Sequence, residues 1–201
     1  ASTTLAWVRT LPPDTFSSPG PGMAVAELYI AVKDWLGLRA WVLGAEWDIF
    51  QAFRYGYDAY AVYNLSKDEN SKGIVTGLWA KAIDEASKHP TVLQLLADAA
   101  QRWGLPDQHE QTLWAVVETP NLSDKALGVL NLIYTQRENT LGLYRVSRKL
   151  LEKNPNNLAA KNNVIWLGFL LKLEKPEVFK MSQELSNQAA GNGIYLSTVA
   201  Y

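Results

Sequence analysis

The side chains best equipped for chemistry are few and scattered. The chain has two histidines, His89 and His109, and no cysteine. A protein metal site gathers three or four ligands at helical or loop spacing, and neither histidine sits in a His-Glu-x-x-His run or its relatives. Without cysteine there are no disulfides, thiolate ligands or sulfur nucleophiles. No Gly-x-Ser-x-Gly elbow is present, and no spacing suggests a Ser-His-Asp set. Gly191-Asn192-Gly193 lacks the Lys-Ser/Thr ending of a phosphate loop and reads as a turn. Carboxylates stand close together at Asp84-Glu85 and at Glu46 and Asp48. General acid–base work would need such a pair inside a cleft, whereas acidic residues at helix starts ordinarily complement the helix dipole. The expectation is a non-catalytic chain with no cofactor and no metal.

Two other groupings have the chemistry of binding. Arg145, Arg148, Lys149 and Lys153 recur at helical spacing and form a positive stripe, which is either a solvated face or a site for an acidic partner. Glu138 and Glu152 dilute it. Trp47, Phe50, Phe53, Tyr55, Tyr57, Tyr60 and Tyr63 crowd one segment. Phe50, Phe53, Tyr57, Tyr60 and Asn64 follow a three–four spacing that marks a core-facing stripe, with Tyr55 and Tyr63 off it. An aromatic groove is the alternative, because aromatic residues dominate binding hot spots.

Bulk properties narrow the class. The 201 residues are 48% hydrophobic and 19% charged, ordinary for a globular chain and unlike a disordered one. The net charge is −1, without the basic surplus of a nucleic-acid binder. Ala24–Val32 is the best apolar run, and it is short and interrupted by Glu27, so no membrane span is expected. A first residue other than Met and eight tryptophans lean toward an exported bacterial protein.

The elements that must position these groups read as helices almost throughout. Residues 1–22 hold four of the nine prolines and are expected to form an extended arm, pinned by Trp7 and Phe16 if it is ordered. From Met23 the apolar spacing predicts helices at about 23–35, 38–43, 46–65, 70–88, 91–103, 106–118, 122–136, 140–153, 157–171, 176–188 and 193–201. Gly104 is suited to a left-handed stop. Pro106 and Pro176 suit first turns, and Ser123 and Asn139 suit N-caps. Short connections imply antiparallel neighbours.

The helices recur. Pro120 and Pro155, each followed by Asn, lie 35 residues apart, and Pro106 and Pro176 lie twice that. In this register Thr112, Ser147 and Ser182 superpose, as do Val129, Val164 and Val199, and Tyr144 falls on Phe179. A hairpin cannot bury its apolar face alone, so stacked equivalents must keep equivalent size and polarity. The Asn154-Pro155-Asn156-Asn157 junction with the helix it opens, and Ala190-Gly191-Asn192-Gly193 with the stretch from Ile194 to Tyr201, resemble junctions between tetratricopeptide repeats. Lys161 and Ala126 stand where that family has Trp, and Val164-Ile165 and Val129-Leu130 stand where it has Leu-Gly.

The resemblance implies an all-α, right-handed superhelical stack of antiparallel helical hairpins: divergent hairpins over 23–89 and repeats over 90–201, the last one incomplete. It further implies a concave groove lined by first helices, which carries over to Leu127, Asn131, Tyr134, Asn162, Trp166, Phe169, Ser197 and Tyr201. An asparagine amide there can clamp the backbone of an extended peptide, with Trp166 and Tyr134 as apolar anchors. Alternatively, the asparagines satisfy neighbouring helix ends. The expected partner is a protein or peptide segment, and the rival role is a structural or assembly module. In that role the chain's last helix, without a second helix to cover it, would self-associate or continue into a longer array.

Overall fold

In a computed structural model of the chain, residues 2–173 and 176–188 are described. They are helical, with no strand among them. The helices are α1 (Ser2–Val8), α2 (Pro19–Val32), α3 (Trp35–Leu43), α4 (Gln51–Leu65), α5 (Glu69–Ser87), α6 (Pro90–Arg102), α7 (Pro106–Val117), α8 (Ser123–Gln136), α9 (Thr140–Lys153), α10 (Leu158–Leu170) and α11 (Pro176–Gln188). Short 3-10 turns cover Pro13–Phe16 and Asp48–Phe50. No described helix is long and apolar enough to cross a membrane. The helix expected over 193–201 lies outside the described residues.

Two compact units divide at Asn121 and Leu122, rather than at the expected 89/90 boundary. The reason is visible in the packing of α6 and α7. Gly56 of α4 lets the backbone approach so closely that a Cβ there would meet Leu96 of α6 at 3.3 Å and the Trp103 and Trp79 rings just beyond. Trp79 of α5, fully buried, donates its indole N–H to Thr112 Oγ1 of α7 at 2.9 Å. These contacts draw 90–117 into the first unit.

The aromatic stripe on α4 forms the heart of that unit. Phe53 and Tyr57 are buried. Tyr60 stacks on Trp103 with ring centroids 5.0 Å apart, and Tyr57 packs against the same indole at 5.0 Å. The Tyr57 hydroxyl donates to Glu27 Oε1 of α2 at 2.9 Å. Burial pushes that hydroxyl far above its usual range, and the Glu27 charge adds to the effect, so it remains a donor. Glu27, which interrupts the apolar run of α2, thus has a structural use.

The expected extended arm is instead partly helical. Leu5 and Val8, three residues apart, bury the inner face of α1. The prolines do not prevent α2 from starting at Pro19, because Pro19 and Pro21 fall in its first turn, where backbone N–H groups have no intrahelical partner. Phe16 does pin the segment, edge-on to Trp41 at 6.3 Å. Trp7 does not, being 59% exposed. The helix expected over 46–65 is also interrupted: Asp48 adopts a left-handed φ of 47° and a 3-10 turn precedes α4.

The recurrence is legible in the local geometry of the turns. α6–α7, α8–α9 and α10–α11 are joined by turns whose left-handed residues are Gly104, Glu138 and Lys172, with φ between 51° and 65°. Each is followed by an N–H that reaches back five residues: Leu105 to Ala100, Asn139 to Tyr134 and Leu173 to Gly168. This is the Schellman closure of a helix end, repeated at intervals of 34 residues. The α2–α3 turn closes in the same way at Lys33. Thr112, Ser147 and Ser182, superposed by the register, are all buried in their second helices. Asn139 and Asn157 cap α9 and α10 by accepting from Gly142 N and Ala160 N. Ser123 does not cap: it is the first residue of α8, and its buried hydroxyl finds no partner.

Candidate functional site

Within the second unit, α9 packs on both α8 and α10, and α11 packs on α10. The core joins Tyr144, Val164, Ile165, Val178, Met181 and Leu185. Gly168 keeps α10 close to its neighbours, since a Cβ there would meet Val178 at 3.3 Å and the Tyr144 ring at 3.6 Å. Lys161, at the position where the resembled repeats carry a core Trp, is itself buried and reaches Glu184 at 3.5 Å.

With α10 fixed in this way, its outer face presents Asn163, Trp166 and Leu170 along one stripe, all exposed. Asn162 lies at the edge, half-buried, and its Oδ1 is enclosed without a hydrogen-bond partner. Phe169 is half-buried, edge-on to the exposed Phe179 at 5.6 Å. On α8 the equivalent position to Trp166 is Asn131, and it too is exposed.

Two groove residues expected from the family are core residues here. Tyr134 is 1% exposed, with its ring against Gly142, where a Cβ would come within 2.4 Å. Leu127 is as fully buried. Both occupy the face of α8 that closes the hairpin with α9, so neither can anchor a ligand. Ser197 and Tyr201 lie outside the described residues. Asn163 and Leu170 join the face without having been expected there, although their spacing of three and four from Trp166 is the signal that places them on it.

The basic stripe on α9 is engaged within the unit. Arg148 pairs with Glu177 of α11 at 2.7 Å, Lys153 with Asp124 of α8, and Lys149 with Glu152 at 3.9 Å. The first two pairs join α9 to neighbouring helices, the third lies within α9, and all three dilute any field for an acidic partner.

In the first unit, a cleft of about 290 Å³ is lined in part by Arg54, Tyr55, Asp58 and Lys81. Its one carboxylate, Asp58, is buried and tied to Arg39 Nε at 2.7 Å. Arg54 caps the end of α3 by donating to the Val42 and Leu43 carbonyls. Asp58 and Arg54 therefore serve the fold. Of the histidines, His89 is exposed and His109 is buried. The described residues hold no cluster of three or more potential metal ligands. No protein-family model matches the chain, and no curated protein or solved structure shows detectable similarity to it.

Proposed function

We propose that this chain is a non-catalytic scaffold, a right-handed superhelical stack of hairpins of the tetratricopeptide kind, which binds an extended protein or peptide segment along its first helices. The supporting observation is the pairing of Asn131 and Trp166. They are 35 residues apart, occupy the same place in successive first helices, and both face solvent while the residues around them build the core. Trp166, more than a third exposed, offers the large amphipathic surface typical of binding anchors. Asn131, Asn162 and Asn163 supply amides that bond a peptide backbone irrespective of its sequence.

A library of random peptides displayed on phage tests this. Peptides selected on the wild-type chain are expected to bind Trp166→Ala and Asn162→Ala at least about tenfold more weakly, the scale of a hot-spot truncation. Selected peptides that bind all three proteins equally would remove the face from consideration.

A second reading, assembly, rests on Phe179. In α9 the equivalent Tyr144 is buried beneath α10, whereas Phe179 is 55% exposed. A face that one repeat covers and the next leaves open is suited to a further hairpin or a second copy. Light scattering is expected to show concentration-dependent association that Phe179→Glu abolishes; a monomer at all concentrations counts against it.

A further inference from the structure

At the C-terminal end of α3 the first unit holds a second cleft, of about 430 Å³, walled by Phe16, Ala40, Trp41, Gly44, Glu46 and Trp47. We infer that this cleft binds an organic ammonium group, independently of the peptide-binding face of the second unit. Its charge, its aromatic walls and its size favour a cation of that kind.

Among the described residues, Glu46 is the only charged one in the lining; it is exposed and enters no ion pair with them. The helix end adds to it. The last carbonyls of a helix carry partial negative charge, and Gly44 N and Ala45 N both turn back to the Val42 carbonyl. Arg54 neutralises the neighbouring Val42 and Leu43 carbonyls but is not part of this lining.

The walls are aromatic and held in place. The Trp41 indole N–H donates to the Gly22 carbonyl at 3.0 Å, and the ring meets Phe16 edge-on. Trp47 is almost fully buried, its ring edge-on to Tyr57 at 5.9 Å. The Trp41 and Phe16 rings, each half-buried, can attract a desolvated cation, whereas the buried Trp47 backs the wall. The same walls are unsuited to a metal ion: a single carboxylate is far from the six to eight oxygens that calcium takes. The volume suits a small ligand or the end of a long side chain.

The test uses the full chain titrated with four probes: choline, n-butylammonium, the neutral isostere 3,3-dimethylbutan-1-ol, and propionate. Calorimetry and the indole N–H signals of Trp41 and Trp47 provide the readouts. Choline, n-butylammonium or both are expected to bind and shift those signals. The alcohol should bind about tenfold more weakly and propionate not measurably. A preference for choline would indicate a free quaternary ammonium ligand, and a preference for n-butylammonium a lysine-like side chain. Glu46→Gln should weaken cation binding about three- to tenfold and leave the alcohol unchanged, and Phe16→Leu should weaken it about threefold. Failure of both cations to bind, equal binding of the alcohol, or indifference to Glu46→Gln would overturn the assignment. Peptide binding at Trp166 is unaffected by either result.

Discussion

Trp79→Ala is expected to lower the free energy of unfolding by about 3–5 kcal/mol, the usual cost of deleting a fully buried tryptophan. The ring has no exposed surface, packs edge-on against Trp103 and bonds Thr112 across the unit. Thr112→Val isolates the polar part of that loss. It retains the shape but strands the indole N–H in the core, at about 1–3 kcal/mol. The double variant Trp79→Phe/Thr112→Val removes donor and acceptor together, and its loss should be smaller than the sum of the two singles. Urea denaturation of wild type, Trp79→Phe, Thr112→Val and the double variant gives the cycle. Additive losses would mean that the 2.9 Å contact contributes nothing specific. A midpoint for Trp79→Ala close to wild type would mean that α5 and α7 are not joined as described.

The helices from Met23 onward were legible because apolar spacing and punctuation agree at most boundaries. Asn139, Asn157, Gly104, Pro106 and Pro176 act at helix ends as their chemistry dictates. Less legible were features in which the same residue type has two uses. Pro19 and Pro21 read as breakers, yet proline is at home in a first helical turn, and only the burial of Leu5 and Val8 shows that the arm is folded. Glu138 and Lys172 adopt left-handed turns that sequence assigns to glycine or asparagine. The closure they share with Gly104 is set by the hairpin around them. The boundary near 121 depends on the approach of Gly56 to Leu96 and on the Trp79–Thr112 bond, contacts between residues 33 or more apart that no local pattern encodes. The periodicity extends over both units because it belongs to hairpins, whereas compactness depends on which hairpins share a core.

The same ambiguity governs the candidate site and gives its sharpest test. Tyr134 and Trp166 are both aromatic residues on first helices of successive hairpins, and both were expected to line one groove. Tyr134 is enclosed against Gly142. Tyr134→Ala should therefore destabilise the second unit by about 3–5 kcal/mol, as for any large buried ring. Trp166→Ala removes a ring more than a third exposed and should cost about 1–2 kcal/mol, well below the loss at Tyr134, because only part of its apolar area is covered. Its distinctive effect should fall on peptide affinity. Chemical denaturation and peptide titration of the two variants separate these roles. A stable Tyr134→Ala variant that loses peptide would return Tyr134 to the groove. A Trp166→Ala variant that unfolds as readily as Tyr134→Ala would make the tryptophan a core residue and remove the principal anchor from the proposed binding face.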